Sequence, residues 1–184
     1  MKKRLNLRGS GQRGFTLLEI IIAIAISAIL GLGAVVTLNQ MVSGNDRASR
    51  DMTTIQQLES AGYRVSRDAL TAQYVTTGEN AGFPLQLDWQ DWYVNGTTRI
   101  DENHRIEYSL SGSNLLRTKS FKLSTASSWV TESQTVVARN INVNPARTFC
   151  SYSDHVITLN ITAVTGNTSE TYIYQIKPRT DSPY

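Results

Sequence analysis

Apolar residues follow three successive patterns along this chain. From Phe15 to Leu38 the run is apolar apart from small and hydroxyl residues and a single carboxylate, Glu19. From Ala48 to Ala69 apolar or small residues recur at steps of three and four, at Ala48, Met52, Ile55, Leu58, Gly62, Val65 and Ala69. That is the period of one helix face, and it predicts an amphipathic helix packed beneath a sheet. Ser43-Gly44-Asn45-Asp46 separates the two patterns with residues that cap or punctuate helices, so the helix either continues through a weak spot or restarts near Asn45.

From about Phe83 the period falls to two. Phe83, Leu85, Leu87 and Trp89 alternate, as do Ile106, Tyr108 and Leu110, then Ile157, Leu159, Ile161 and Ala163, then Tyr172, Tyr174 and Ile176. Leu115 to Leu123 and Val136 to Val143 are further strand candidates. Ser111-Gly112-Ser113-Asn114 and Thr165-Gly166-Asn167-Thr168 supply turn chemistry between strands. Five to seven short, mostly antiparallel strands behind one long N-terminal helix are predicted, an α+β class with one compact core.

The first pattern predicts a membrane span. Phe15 to Leu38 is 24 residues, which as a helix reaches roughly 36 Å against a hydrocarbon core of about 30 Å. Lys2, Lys3, Arg4, Arg8 and Arg13 precede it with no acidic residue, so this end is expected in the cytoplasm and the rest outside. A carboxylate in such a span is costly, which makes Glu19 a candidate functional residue. A secretory signal would be cut after the apolar region, at small residues. Here the basic-to-apolar junction is itself a Gly14-Phe15 step.

Gly14, Phe15, Thr16, Leu17, Leu18 and Glu19, standing between a basic leader and a long apolar run, resemble the type IV prepilin signal of type IV pilins, type II secretion pseudopilins and competence pseudopilins. The resemblance implies a pilin-like fold. It also implies that a membrane peptidase cuts between Gly14 and Phe15 and methylates the new Phe15 amine with S-adenosylmethionine. Glu19 would then pair with the amino terminus of a neighbouring subunit. Opposite unit charges about 4 Å apart attract by roughly 4 kcal/mol at an effective dielectric near 20, before desolvation is subtracted.

Cleavage changes the meaning of the charge balance. The chain holds 18 basic and 15 acidic residues, but five of the basic ones lie in residues 1–14, which leaves 13 against 15, about −2. The pI of about 9.1 therefore belongs to the precursor, and no nucleic-acid partner is predicted from it. Arg47, Arg50, Arg64 and Arg67 interleave with Asp46, Asp51, Glu59 and Asp68 and read as a solvated helix face.

Gln57-Leu58-Glu59-Ser60-Ala61, Arg67-Asp68 and the stretch from Tyr108 to Arg117 look like the J-type minor pseudopilins and W-type minor pilins, which implies a subunit that primes assembly at a filament tip. Major pilins often close a carboxy-terminal loop with a disulfide, and Cys150 is the only cysteine, so no intrachain bridge can form. Cys150 reads as a small buried side chain. His104 and His155 lack companion ligands at zinc spacing. Asp88, Asp91, Asp101 and Glu102 lack the alternating oxygen pattern of a calcium loop and read as turn carboxylates. No cofactor, metal or catalytic constellation is predicted.

The organisation expected is a cleaved leader at 1–14, a transmembrane and assembly helix at 15–42, its amphipathic continuation at 43–72, and an exported β-rich domain at 73–184. The function expected is a structural subunit, a minor one, of a type IV pilus or type II secretion pseudopilus. Its partners would be the prepilin peptidase/methyltransferase, other pilin or pseudopilin subunits, an inner-membrane assembly platform and membrane lipid. It would sit in the inner membrane before assembly and in a surface or periplasmic filament afterwards. The alternative is a filament-displayed adhesin or ligand receptor. Trp89, Trp92, Tyr93 and Trp129 bear on that choice: core packing is expected for most of them, and an exposed aromatic cluster would favour the alternative.

Overall fold

The computed structural model describes residues 15–179. Helix α1 runs Leu17–Ala69, 53 residues, and eight strands follow: β1 Tyr74–Gly78, β2 Gly82–Asn95, β3 Thr98–Ser111, β4 Asn114–Leu123, β5 Val130–Ala138, β6 Phe149–Ser153, β7 Val156–Thr165 and β8 Thr168–Ile176. Two compact units result, the first ending at Asp46 and the second beginning at Arg47. The α+β class is as predicted.

In the first unit the helix passes through Gly31, Gly33 and Gly44 without interruption. Ser43 to Asp46 therefore does not end it. Its apolar side chains lie open: Leu17 is 77 % exposed, Ile24 64 % and Leu30 68 %. By length and composition this helix can cross a membrane.

In the second unit the helix buries Thr54, Leu58, Ala61, Gly62, Val65, Asp68 and Ala69. The spacing is again three and four, but the stripe is rotated from the one predicted. Ala48 and Met52 are exposed, while Thr54, Ala61 and Asp68 take inward positions. Thr54 can be buried because its hydroxyl donates to the Arg50 carbonyl at 2.9 Å. Small residues let the sheet approach closely: the Tyr174 ring packs where a Cβ on Gly62 would stand, and its hydroxyl donates to the Leu58 carbonyl at 3.0 Å.

The strands form two antiparallel sheets, one of five in the order β1-β2-β3-β4-β5 and one of three in the order β6-β7-β8. Leu85, Leu87, Ile106, Tyr108 and Leu115 from the first sheet and Ile157, Leu159 and Ile161 from the second meet the helix stripe in one core. Gly112 and Gly166 adopt φ of 54° and 61° at the turns predicted for them.

Among the described residues eight strands exceed the five to seven expected, and they divide into two sheets instead of one. β1 and β6 are five residues each, too short and too polar for alternation to reveal them. The strand expected at Val136 to Val143 instead ends at Ala138, because Asn140 turns the chain with φ of 59° and Ile141 crosses to bridge Ala163 of the other sheet.

Candidate functional site

Gly14 and the leader lie outside the described residues. Phe15, 81 % exposed, stands just ahead of α1, and Thr16 is its cap. The Glu19 N–H donates to Thr16 Oγ1 at 3.3 Å, while the Thr16 N–H and hydroxyl each donate to Glu19 Oε2 at 3.1 Å. This reciprocal exchange is a capping box, which satisfies two backbone donors that a helix start otherwise leaves open. The Thr-x-x-Glu signature of such a box is visible in the sequence. All three bonds leave Glu19 Oε1 unused among the described residues.

A second constellation was missed altogether. Asp68, read as part of a solvated face, is 9 % exposed. Its Oδ2 accepts from the Tyr108 hydroxyl at 2.5 Å and from Arg117 Nε at 2.6 Å, and its Oδ1 accepts from Arg117 Nη2 at 3.3 Å. One carboxylate thus ties α1 to β3 and β4. Burial and the adjacent Asp68 charge push the Tyr108 hydroxyl far above its usual range, and the Asp68 hydrogen bond holds Arg117 above its own. The arrangement binds these elements together.

The face of the five-stranded sheet that carries Asp88 and Arg105 is more open. Register places Tyr74, Asp88, Arg105 and Ser120 in one row across β1 to β4, with Gln90, Asn103 and Lys122 in the next row. Arg105 grips Asp88 with two bonds of 2.8 Å, Nε to Oδ1 and Nη2 to Oδ2, and this raises its pKa. Trp129, from the β4–β5 connection, lies with its ring centroid 4.5 Å from Arg105 and 4.9 Å from Lys122 Nζ. Between these groups is a cleft of about 270 Å³, bordered also by Trp89 and His104, whose rings stack at 5.0 Å.

Of the three tryptophans only Trp89 packs against the core, and none is fully buried, so core packing does not hold for most of these aromatics. Trp89 and Trp129 are half-buried, and Trp92 is 57 % exposed, with Tyr93 at 45 %. The physical reason for Trp92 is register: β1 leaves β2 at Asp88 and β4 leaves β3 at Glu102, so the end of the β2–β3 hairpin has no neighbour to cover it. The expected turn carboxylates are also corrected. Asp88 and Asp91 lie within β2, and Asp101 and Glu102 within β3, with Asp88 and Asp101 paired to Arg105 and Arg99. Among the described residues no group of three His, Cys, Asp or Glu is placed to hold a metal. Cys150 is buried, and burial pushes its thiol up to about 12. His155 lies at the β6–β7 turn with φ of 60°.

Residues 9–35 match the family model described as the prokaryotic N-terminal methylation motif, the prepilin signal of type IV pilins and pseudopilins. The chain carries that signal, which supports membership of the type IV pilin/pseudopilin family and points to a structural subunit. It implies processing by prepilin peptidase and assembly with other pilin subunits, and with the apolar helix it fits inner-membrane anchoring before assembly. No curated protein and no solved structure matches the chain.

Proposed function

We propose that this chain is a minor subunit of a type IV pilus or type II secretion pseudopilus, cut between Gly14 and Phe15, methylated on the Phe15 amine and drawn into the filament through Glu19. On this reading residues 1–14 are the leader, 15–42 the membrane and assembly segment, 43–72 its amphipathic continuation and 73–184 the exported domain. The observation that carries it is the state of Glu19: one oxygen caps its own helix, and the other has no partner among the described residues. A neighbour's amino terminus can therefore be accepted without giving up the cap. The attraction is of order a few kcal/mol before desolvation is subtracted, and uncut chains have no amine at this place to offer.

Beyond Glu19, the helix around it exposes apolar residues on every side, which lipid covers before assembly and neighbouring helices cover afterwards. Minor status is supported by the lone Cys150, because the loop-closing disulfide common in major pilins needs two cysteines. Glu19→Ala tests the reading. The variant is expected to be cleaved and to keep its folded second unit while its recovery in sheared filaments or pseudopili falls at least ~10-fold, the effect of about 1.4 kcal/mol. Wild-type incorporation by this variant, or residues 1–14 still attached on mass spectrometry of a strain with active peptidase, would sink the proposal.

A further inference from the structure

The cleft on the five-stranded sheet is not used by an assembly role that runs through the N-terminal helix, and its construction is that of a binding site. Of the aromatic residues that border it, Tyr74, 69 % exposed, and Trp129 lie on the side of the polar groups, whereas Trp89 and His104 alternate to the opposite face of the sheet. Between Tyr74 and Trp129 lies a polar floor of Asp88, Arg105, Gln90 and Asn103. We propose that this cleft binds one pyranose unit of a saccharide, with acidic sugars preferred over neutral ones.

The chemistry matches in three respects. A pyranose ring shows C–H groups on its faces and hydroxyls around its rim, so it is recognised by aromatic rings on the flat side and by groups that both donate and accept at the edge. Tyr74 and Trp129 supply the first, and the carboxylate, guanidinium and amides of the floor supply the second. The floor is also pre-set. Asp88 and Arg105 hold each other through two bonds of 2.8 Å, and Trp129 rests on Arg105 and Lys122, so little side-chain freedom is left to lose on binding.

Charge gives the preference. Asp88 and Arg105 neutralise each other, whereas Lys122 has no ion-pair partner among the described residues. One positive charge therefore remains beside the cleft, suited to a sugar carboxylate. At about 270 Å³ the space lies near the lower end of small-molecule clefts, and its open side lets a glycan chain continue into solvent. The charged floor disfavours an apolar peptide, and the described residues form no metal-holding cluster.

This inference extends the subunit reading, and the two fail separately. The full chain, in a detergent without sugar headgroups, would be titrated by calorimetry with trigalacturonate and with maltotriose. Saturable binding is expected, tighter for trigalacturonate. Tyr74→Ala and Trp129→Ala should each weaken it at least ~10-fold, and Lys122→Gln should remove the preference for the acidic sugar. Tyr74 is exposed, so its variant keeps the test sound if Trp129→Ala misfolds. No saturable binding to either sugar, or affinities unchanged by Tyr74→Ala, overturns the site. Filament incorporation of the same variants, scored in parallel, reports on the subunit role independently of the cleft.

Discussion

Before Asp46, helix α1 leaves its apolar side chains uncovered, with Leu17, Ile24 and Leu30 each about two-thirds or more exposed. After Arg47, the same kind of backbone buries Leu58, Ala61, Val65 and Ala69 to 1 % exposure or less. The second stretch finds its partners within the chain, in strands that lie up to more than a hundred residues away, such as Tyr174 against Leu58. The first finds none among the described residues. The difference teaches that helix formation and burial are separate matters here: the second stretch is covered by its own sheets, and under the proposed function lipid or other helices would cover the first.

The sharpest way to break this contrast is to damage the covered stretch alone. Asp68→Ala strands Arg117 beside a buried hydroxyl, and removal of one partner of a buried ion pair costs about 3–5 kcal/mol. Urea unfolding of the detergent-solubilised chain should show that loss, while helix signal from the membrane segment persists. A cost under about 1 kcal/mol would show that the network does not hold α1 to β3 and β4.

Gly62→Ala probes the close approach. Its methyl would overlap the Tyr174 ring, and overpacking of this kind costs about 1–3 kcal/mol. Tyr174→Leu in the same chain should recover part of that loss. Strictly additive penalties would remove the steric explanation.

Alkaline titration sharpens the contrast further. Burial raises the folded-state pKa of Cys150 to about 12 and also raises those of Tyr108 and Tyr174. The unfolded chain then releases these protons first, so their contribution is intact below the ordinary thiol range near 8.5 and declines as pH rises towards 12. Melting temperature should stay level to about pH 8 and fall beyond it. A rising profile there would contradict the burial of these groups. The smallest effect is expected from Arg99→Ala. Its pairing with Asp101 at 2.7 Å is largely solvated, with 64 % of the Arg99 side chain exposed, and stability should change by less than about 0.5 kcal/mol.

How much of this was legible in the sequence depended on distance along the chain. Alternation at Phe83 to Trp89 and at Ile157 to Ala163 revealed β2 and β7, and the turns at Gly112 and Gly166 were marked by composition. The long apolar helix was legible for the same reason, since apolar length is a local quantity. Asp68 was not. A helix aspartate flanked by arginines reads as solvated, and the residue that buries it, Arg117, is 49 positions away. The division into two sheets and the cleft between Tyr74 and Trp129 arise from register between strands, which no single stretch encodes. At Glu19 the oddity of a carboxylate in an apolar run was plain, while its bond to Thr16 needed the helix start to be placed.

The uncovered end of the β2–β3 hairpin has a practical side. Among the described residues its strands from Asp91 to Asn95 and from Thr98 to Ile100 pair only with each other, so their amides should exchange with solvent by local opening while the core stays closed. The Asn95-Gly96 turn at its tip, with Gly96 at φ of 65° and open space where a side chain would stand, is accordingly a natural handle: an epitope or fluorophore inserted there would ride on the surface clear of the core.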